Sequence, residues 1–180
     1  VTQLAEPRPF EVVRMRTGAL EGAEPAETVA FWKRLSTMMR KTSAAGRAID
    51  EAREKIEAMS TALARSTAEA GELDAELYGI SQRLHEIAER LDGRQSMERL
   101  NEPQTPTIGE RMFVAMVGTG RSTYGPTPTH EMSLDIAERE FAEVESELDT
   151  LIETRIPALE RALLDAGAPW MPGAPLPGRR

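Results

Sequence analysis

From residue 32 to residue 91, apolar or small side chains return every three or four positions, and that period dictates an α-helical chain. The first run is Trp32, Leu35, Met39, Thr42, Gly46, Ile49, Ala52, Ile56, Met59 and Leu63. The same frame continues through Ser66, Ala70, Leu73, Leu77, Ile80, Leu84, Ile87 and Leu91. Such a stripe buries itself only against another helix. The chain therefore forms either one helix of about 65 residues paired with a second chain, or a hairpin. The seam weakens over Arg65-Ser66-Thr67-Ala68-Glu69-Ala70-Gly71, and glycine costs about 1 kcal/mol relative to alanine inside a helix. A hairpin turning there is the expectation.

Local signals set the remaining boundaries. Gly22-Ala23-Glu24-Pro25 reads as a helix start, with Pro25 at the first helical position and Glu27 in the first turn. Gly93 ends the second helix, and a polar loop with Pro103 and Pro106 follows over 93–106. Thr107-Ile108-Gly109-Glu110 is a capping box that opens a short helix, with Ile108, Met112, Val114, Ala115 and Met116 as its apolar positions. That helix is expected to close at Gly118-Thr119-Gly120, before a Gly/Pro/Thr-rich loop from Arg121 to Pro128. The last long helix starts near Thr129 and carries Leu134, Ala137, Phe141, Val144, Leu148, Leu151, Ile152, Leu159 and Leu163. Pro157 should kink or break it. After Gly167 the tail contains Pro169, Pro172, Pro175 and Pro177 and is expected to be extended or disordered. Before residue 25, only Phe10-Glu11-Val12-Val13-Arg14-Met15-Arg16 has any pattern, that of a short strand or extended arm.

The first and last helices have similar lengths, roughly 60 Å for the first at 1.5 Å per residue. The second helix and the short one, end to end, fill the return path. The predicted fold is all-α: an elongated up-down-up three-helix bundle made of an antiparallel coiled-coil hairpin and a long C-terminal helix, with one short extra helix and a short extended N-terminal arm. Residues 1–24 are then an arm or the end of an upstream domain, 25–166 the bundle, and 167–180 a tail. Charge supports parallel first and last helices. Of 30 acidic and 22 basic residues, the stretch from Glu131 to Asp165 holds 11 acids and 3 bases, so the whole net charge of −8 lies there. Lys33, Arg34, Arg40, Lys41 and Arg47 stand at matching depth on the first helix with no acid between them. Parallel neighbours bring them level with Glu138, Glu140, Glu143, Glu145, Glu147 and Asp149.

Composition excludes several chemistries. With no cysteine, thiol catalysis, disulfides and cysteine-based zinc sites are out. An acidic chain is a poor holder of a phosphate backbone, so nucleic acid is not an expected partner. No apolar run approaches the ~20 residues that span a bilayer. The opening on Val1, without a basic-then-apolar leader, reads as a piece of something longer.

Residue by residue, no constellation carries chemistry. His85 and His130 have no companion ligand at metal spacing; His85 reads as a surface histidine and His130 as a cap. Glu138/Glu145 and Glu143/Glu147 are carboxylate pairs on a solvated helix face, whereas glycoside hydrolysis needs one desolvated acid across a cleft. Gly118-Thr119-Gly120-Arg121-Ser122 lacks the strand and the Gly-Lys-Ser/Thr ending of a phosphate loop and reads as a helix-breaking loop. The basic band from Lys33 to Arg47 reads as helix pairing, and Met38, Met39, Met59, Met112 and Met116 as core filler. An enzymatic site, if there is one, lies around loops 93–106 and 119–129, at Glu102, Arg121 or Tyr124. No catalytic, cofactor-binding or metal residue is assigned, and no cofactor is implied.

The order of features resembles a known family. The extended Phe-x-Val-Val stretch, the long helix with Phe31 and Leu35, and the Ala-rich hairpin lead to Ile108–Val117. Then come Pro126-Thr127-Pro128-Thr129 and a helix with Glu140-Phe141, Glu147-Leu148-Asp149, Leu151 and Ile156-Pro157-Ala158-Leu159. Together these resemble the C-terminal helical region of large bacterial proteins related to sortilin-type (VPS10) β-propellers, labelled BNR-repeat glycosyl hydrolases. The resemblance covers most of residues 9–166; Leu100-Asn101-Glu102-Pro103 fits it only in part. It implies an exported or envelope protein whose propeller, with any sugar cleft, lies upstream. No catalytic residue carries over. The expected role is a non-catalytic accessory or interaction domain whose partner is the upstream propeller, another protein or a second copy. The alternative is a freestanding coiled-coil dimerisation or adaptor protein.

Overall fold

The computed structural model describes residues 5–13, 18–19, 21–67, 69, 71–94, 100 and 105–173. The described chain is helical throughout, with no strand among the described residues: α1 (Pro25–Ala64), α2 (Gly71–Asp92), α3 (Ile108–Gly120), α4 (Pro128–Thr150), a π-helical turn (Leu151–Arg155) and α5 (Ile156–Asp165). Of the expected strand, Phe10–Val13 is neither helix nor strand and is exposed, and residues 14–16 lie outside the described set.

The hairpin expectation fits the break between Ala64 and Gly71. Ser66 closes α1 by donating from its hydroxyl to the Leu63 carbonyl at 2.9 Å. Capping chemistry sets the other ends. Thr107 and Glu110 exchange hydrogen bonds across the start of α3, at 2.8 and 3.1 Å. Pro25 and Pro128 occupy first-turn positions, where a missing N–H costs nothing. α5 ends in a Schellman turn: Gly167 takes a left-handed φ of +80°, and Ala168 N–H reaches Leu163 O at 2.9 Å.

The core frame on the first half of α1 differs from the sequence expectation by one residue. Phe31, Leu35, Met38, Ala45, Ile49, Ala52, Ile56, Met59 and Leu63 are buried, while Trp32 is half-buried and Met39 is 45% exposed. With Thr42 between Met38 and Ala45, the steps alternate four and three without interruption. The frame through Trp32, Met39 and Gly46 contains two successive threes at Gly46–Ile49–Ala52. The regular heptad wins because it buries Phe31 and leaves the long row in one plane. Thr42 lies on that row and satisfies its hydroxyl on the Met38 carbonyl at 3.0 Å. On α2, Leu77, Ile80, Leu84, Ile87 and Leu91 are buried as expected, with Leu73 partly so.

The last helix holds a second adjustment. Its core runs Leu134, Ala137, Phe141, Val144, Leu148, Leu151, Ile156, Leu159 and Leu163, with a five-residue step between Leu151 and Ile156. The π turn fills that step: it absorbs one extra residue and returns Ile156 to the core face. It also stands where Pro157 supplies no N–H to the preceding turn, so the expected kink takes the form of a π turn. The tail differs from expectation too. Ala168 packs on the core and Met171 is 2% exposed, because the Schellman turn folds the chain back. Residues 174–180 lie outside the described set.

Candidate functional site

The acidic residues of α4 are where carboxylate chemistry would reside, and α4 is bordered by cations from three other helices. Arg34 of α1 bonds Glu131 at 2.9 Å, Glu138 at 2.7 Å, and Asp135. Lys41 reaches Glu145 at 3.0 Å and sits 5.8 Å from the centre of the Phe141 ring. From α2, Arg90 binds Glu143 at 2.8 Å and Glu147 at 3.0 Å, and Arg83 also binds Glu147. Arg111 of α3 reaches Glu140 at 3.2 Å. Both carboxylate pairs singled out in the sequence are therefore ion-pair acceptors. The Glu138 hydrogen bond holds the Arg34 guanidinium protonated more firmly than usual, against the opposing effect of partial burial.

Chain direction follows from these pairs. Along α1, Arg34, Lys41 and Lys55 meet Glu138, Glu145 and Glu160, so numbers rise together. Along α2, Glu76 meets Arg155 while Arg90 meets Glu143, so numbers run oppositely. α3 starts beside the end of α2 and ends beside α1: a Cβ on Gly109 would lie 3.0 Å from the Leu91 carbonyl, and one on Gly120 3.6 Å from the Trp32 ring.

Loop 121–127 closes this end of the molecule. Tyr124 accepts the Ala23 N–H on its carbonyl at 2.8 Å. His130 accepts the Thr127 N–H on Nδ1 at 3.2 Å, the capping role expected of it. Its ring lies against Gly118, where a Cβ would fall 2.0 Å from Nε2. Gly118, Thr119 and Gly120 are the last turn of α3 rather than a loop, and the buried Thr119 hydroxyl donates to Ala115 O at 2.7 Å. The helix closes at Gly118-Thr119-Gly120 as expected, and the break falls at Arg121, the fourth residue of the motif. His85 is exposed and pairs with Glu89 at 3.2 Å one turn along. Arg121 and Tyr124 are exposed at the loop, and Glu102 lies outside the described residues. Met38, Met59 and Met112 are buried as filler, whereas Met39 faces outward.

Among the described residues, no group of three or more His, Asp or Glu side chains is placed to hold a metal ion. None of their helices is long and apolar enough to cross a membrane. The sequence reading missed the α2 contribution, although Arg83 and Arg90 stand one heptad apart, the spacing that aligns them on one face. The chain matches no family model, no curated protein and no solved structure.

Proposed function

We propose that this chain is a non-catalytic helical accessory module, an elongated up-down-up bundle of residues 25–166 that serves interaction rather than chemistry. The observation that carries this reading is the fate of the acidic helix. Glu138, Glu143, Glu145 and Glu147 each bond a Lys or Arg. A carboxylate paired with a cation on a solvated face lacks the desolvated setting that glycoside hydrolysis requires of its acid. The ion pairs of opposite sense along α1 and α2 support the up-down-up arrangement.

The wider setting rests on the family resemblance alone: the C-terminal region of an exported, sortilin-like BNR-repeat protein, with the propeller as its partner. The test is intact mass of the natural gene product and peptide mapping upstream of Val1, with light scattering on the chain itself. Several hundred upstream residues with repeated propeller hairpins, and a compact monomer, are the expected results. A natural chain beginning near Val1 and an elongated dimer would replace this reading with the coiled-coil adaptor.

A further inference from the structure

We propose that the outward face of the N-terminal half of α1 docks an acidic amphipathic helix of a partner protein. This rests on the interaction-module reading and gives it a surface and a ligand chemistry. The basic band of α1 splits into two rows of heptad spacing. Arg34 and Lys41 turn toward α4 and are bonded there. Lys33, Arg40 and Arg47 form the outer row, have no ion pair with α4 and are exposed. Seven residues rise about 10.5 Å, so the outer row spans about 21 Å.

Among the described residues no carboxylate bonds any of these three cations. Arg40 donates to the hydroxyls of Ser36 at 3.1 Å and Thr37 at 3.0 Å, and Arg47 to Ser43 at 3.3 Å. The acids that share a groove with Lys33 are Glu138 and Glu145, which are engaged by Arg34 and Lys41. Between Glu27 and Asp50 the helix carries no acid at all. In a chain of net charge −8, the row is a local reversal of sign whose two arginines are held in place by hydroxyls and left available.

Apolar anchors lie beside it. Trp32 and Met39 precede Lys33 and Arg40 by one residue each, so they occupy the adjoining flank. Val29 and Trp32 line an open depression of about 520 Å³ together with Lys33, Ser36, Thr37 and Arg40. Phe113 stands seven residues, about two turns, before Gly120 on α3, on the side of that helix that approaches Trp32. Val29, Met39 and Phe113 are 52%, 45% and 60% exposed. Cations in a heptad row with apolar groups on one side complement a helix that carries carboxylates at heptad spacing beside an apolar stripe. The apolar groups supply affinity, and the charges supply register and encounter rate.

The probe is a synthetic helix of about 21 residues, long enough to span the row, with Glu at heptad spacing and Leu on the adjoining face. Its counterpart carries Gln for Glu. Fluorescence anisotropy with the whole chain should show the Glu helix binding at least tenfold tighter. That advantage should vanish in Lys33→Gln/Arg40→Gln/Arg47→Gln, and Met39→Ser/Phe113→Ser should weaken both probes. All five positions are exposed, and circular dichroism verifies each variant's fold. Equal affinity for the two helices, or an advantage that survives the triple substitution, overturns the proposal. So does equally tight, row-dependent binding of heparin or anionic phospholipid vesicles, or self-association of the chain through the same row. The upstream mapping decides the module reading independently of these outcomes.

Discussion

Replacing Phe31 and, separately, Met39 by alanine decides where the seam of α1 lies. Phe31 is 1% exposed and Met39 45%. A buried aromatic ring removes about 200 Å² from water, an upper figure of about 5 kcal/mol at 25 cal/mol per Å². Measured Phe→Ala changes in cores cost about 3–5 kcal/mol, because the cavity only partly collapses. Phe31 also meets Trp32 edge-on, with ring centres 6.5 Å apart, so the truncation removes that contact as well. Met39→Ala removes a side chain that already faces water, and its cost should stay near 0.5 kcal/mol. For a domain of this size each kcal/mol moves the melting temperature by about 2–4 °C. Far-UV circular dichroism melts should therefore fall by about 10 °C for Phe31→Ala and by about 2 °C or less for Met39→Ala. Urea unfolding gives the same comparison without the heat-capacity correction. Equal losses for the two variants would return the seam to the Trp32–Met39–Gly46 frame and refute the regular heptad.

Leu84→Ala and Leu148→Ala, at 0% and 5% exposure, should each cost about 2–5 kcal/mol in urea titrations; unmoved midpoints would mean that neither faces the core. Gly118→Ala should cost about 1–3 kcal/mol by driving a methyl into the His130 ring, and adding His130→Ala should recover most of it. Calorimetry showing no recovery would mean the ring is not the obstacle. Deleting Thr154 together with Pro157→Ala should restore a four-residue step from Leu151 to the following isoleucine and keep the melt near wild type. Deleting Glu143 shifts the frame in mid-helix and should unfold the chain, so equal damage from both deletions would refute the π-turn argument.

What was legible in the sequence followed from local signals with a single solution. Thr107 and Glu110 capped α3 where their spacing said, Pro25 opened α1, the last helix began at Pro128, one residue ahead of the expected Thr129, and the weak stretch before Gly71 became the break. Ile80, Leu84 and Leu91 had no apolar side chain beside them and fell in the core with Leu77 and Ile87. The seam of α1 went astray where two apolar residues stand side by side, as at Phe31-Trp32 and Met38-Met39. Residue type cannot choose between adjacent candidates there. Regularity could have chosen, since only the Phe31–Met38–Ala45 frame continues into Ile49–Ala52 without a stammer. For the candidate site, the pairing of the acidic helix was legible as a match of bands. Which cations turned inward was not, because Lys33 and Arg34, or Arg40 and Lys41, differ by a single 100° step. The burial of Met171 was hidden by its proline-rich surroundings, which mask the turn at Gly167.

The ion pairs shift in the same sense as the apolar seam across the π turn. Arg34 and Lys41 each lie 104 residues from their partners Glu138 and Glu145. Beyond the π turn, Lys55 meets Glu160, a separation of 105. One residue has been gained between the two readings, the same residue that widens the Leu151–Ile156 step. A helix that kept strict α geometry past Thr150 would carry Ile156 about 100° off the core face and would point Arg155 inward. With the extra residue absorbed, Arg155 instead reaches Glu76 of α2 at 2.8 Å. The acidity of α4 has the same architectural origin. This helix is bordered by α1, α2 and α3, each of which presents Arg or Lys toward it. Single exposed pairs add about 0–1 kcal/mol each, so their collective effect lies less in stability than in rejecting misaligned packings. The sign of the Arg34 effect agrees. A cation whose proton is held more tightly in the folded state contributes its stability at every pH below its unfolded value. Loss from the arginine side therefore comes only in strong alkali, and near neutrality high salt, not pH, is the condition that loosens this register.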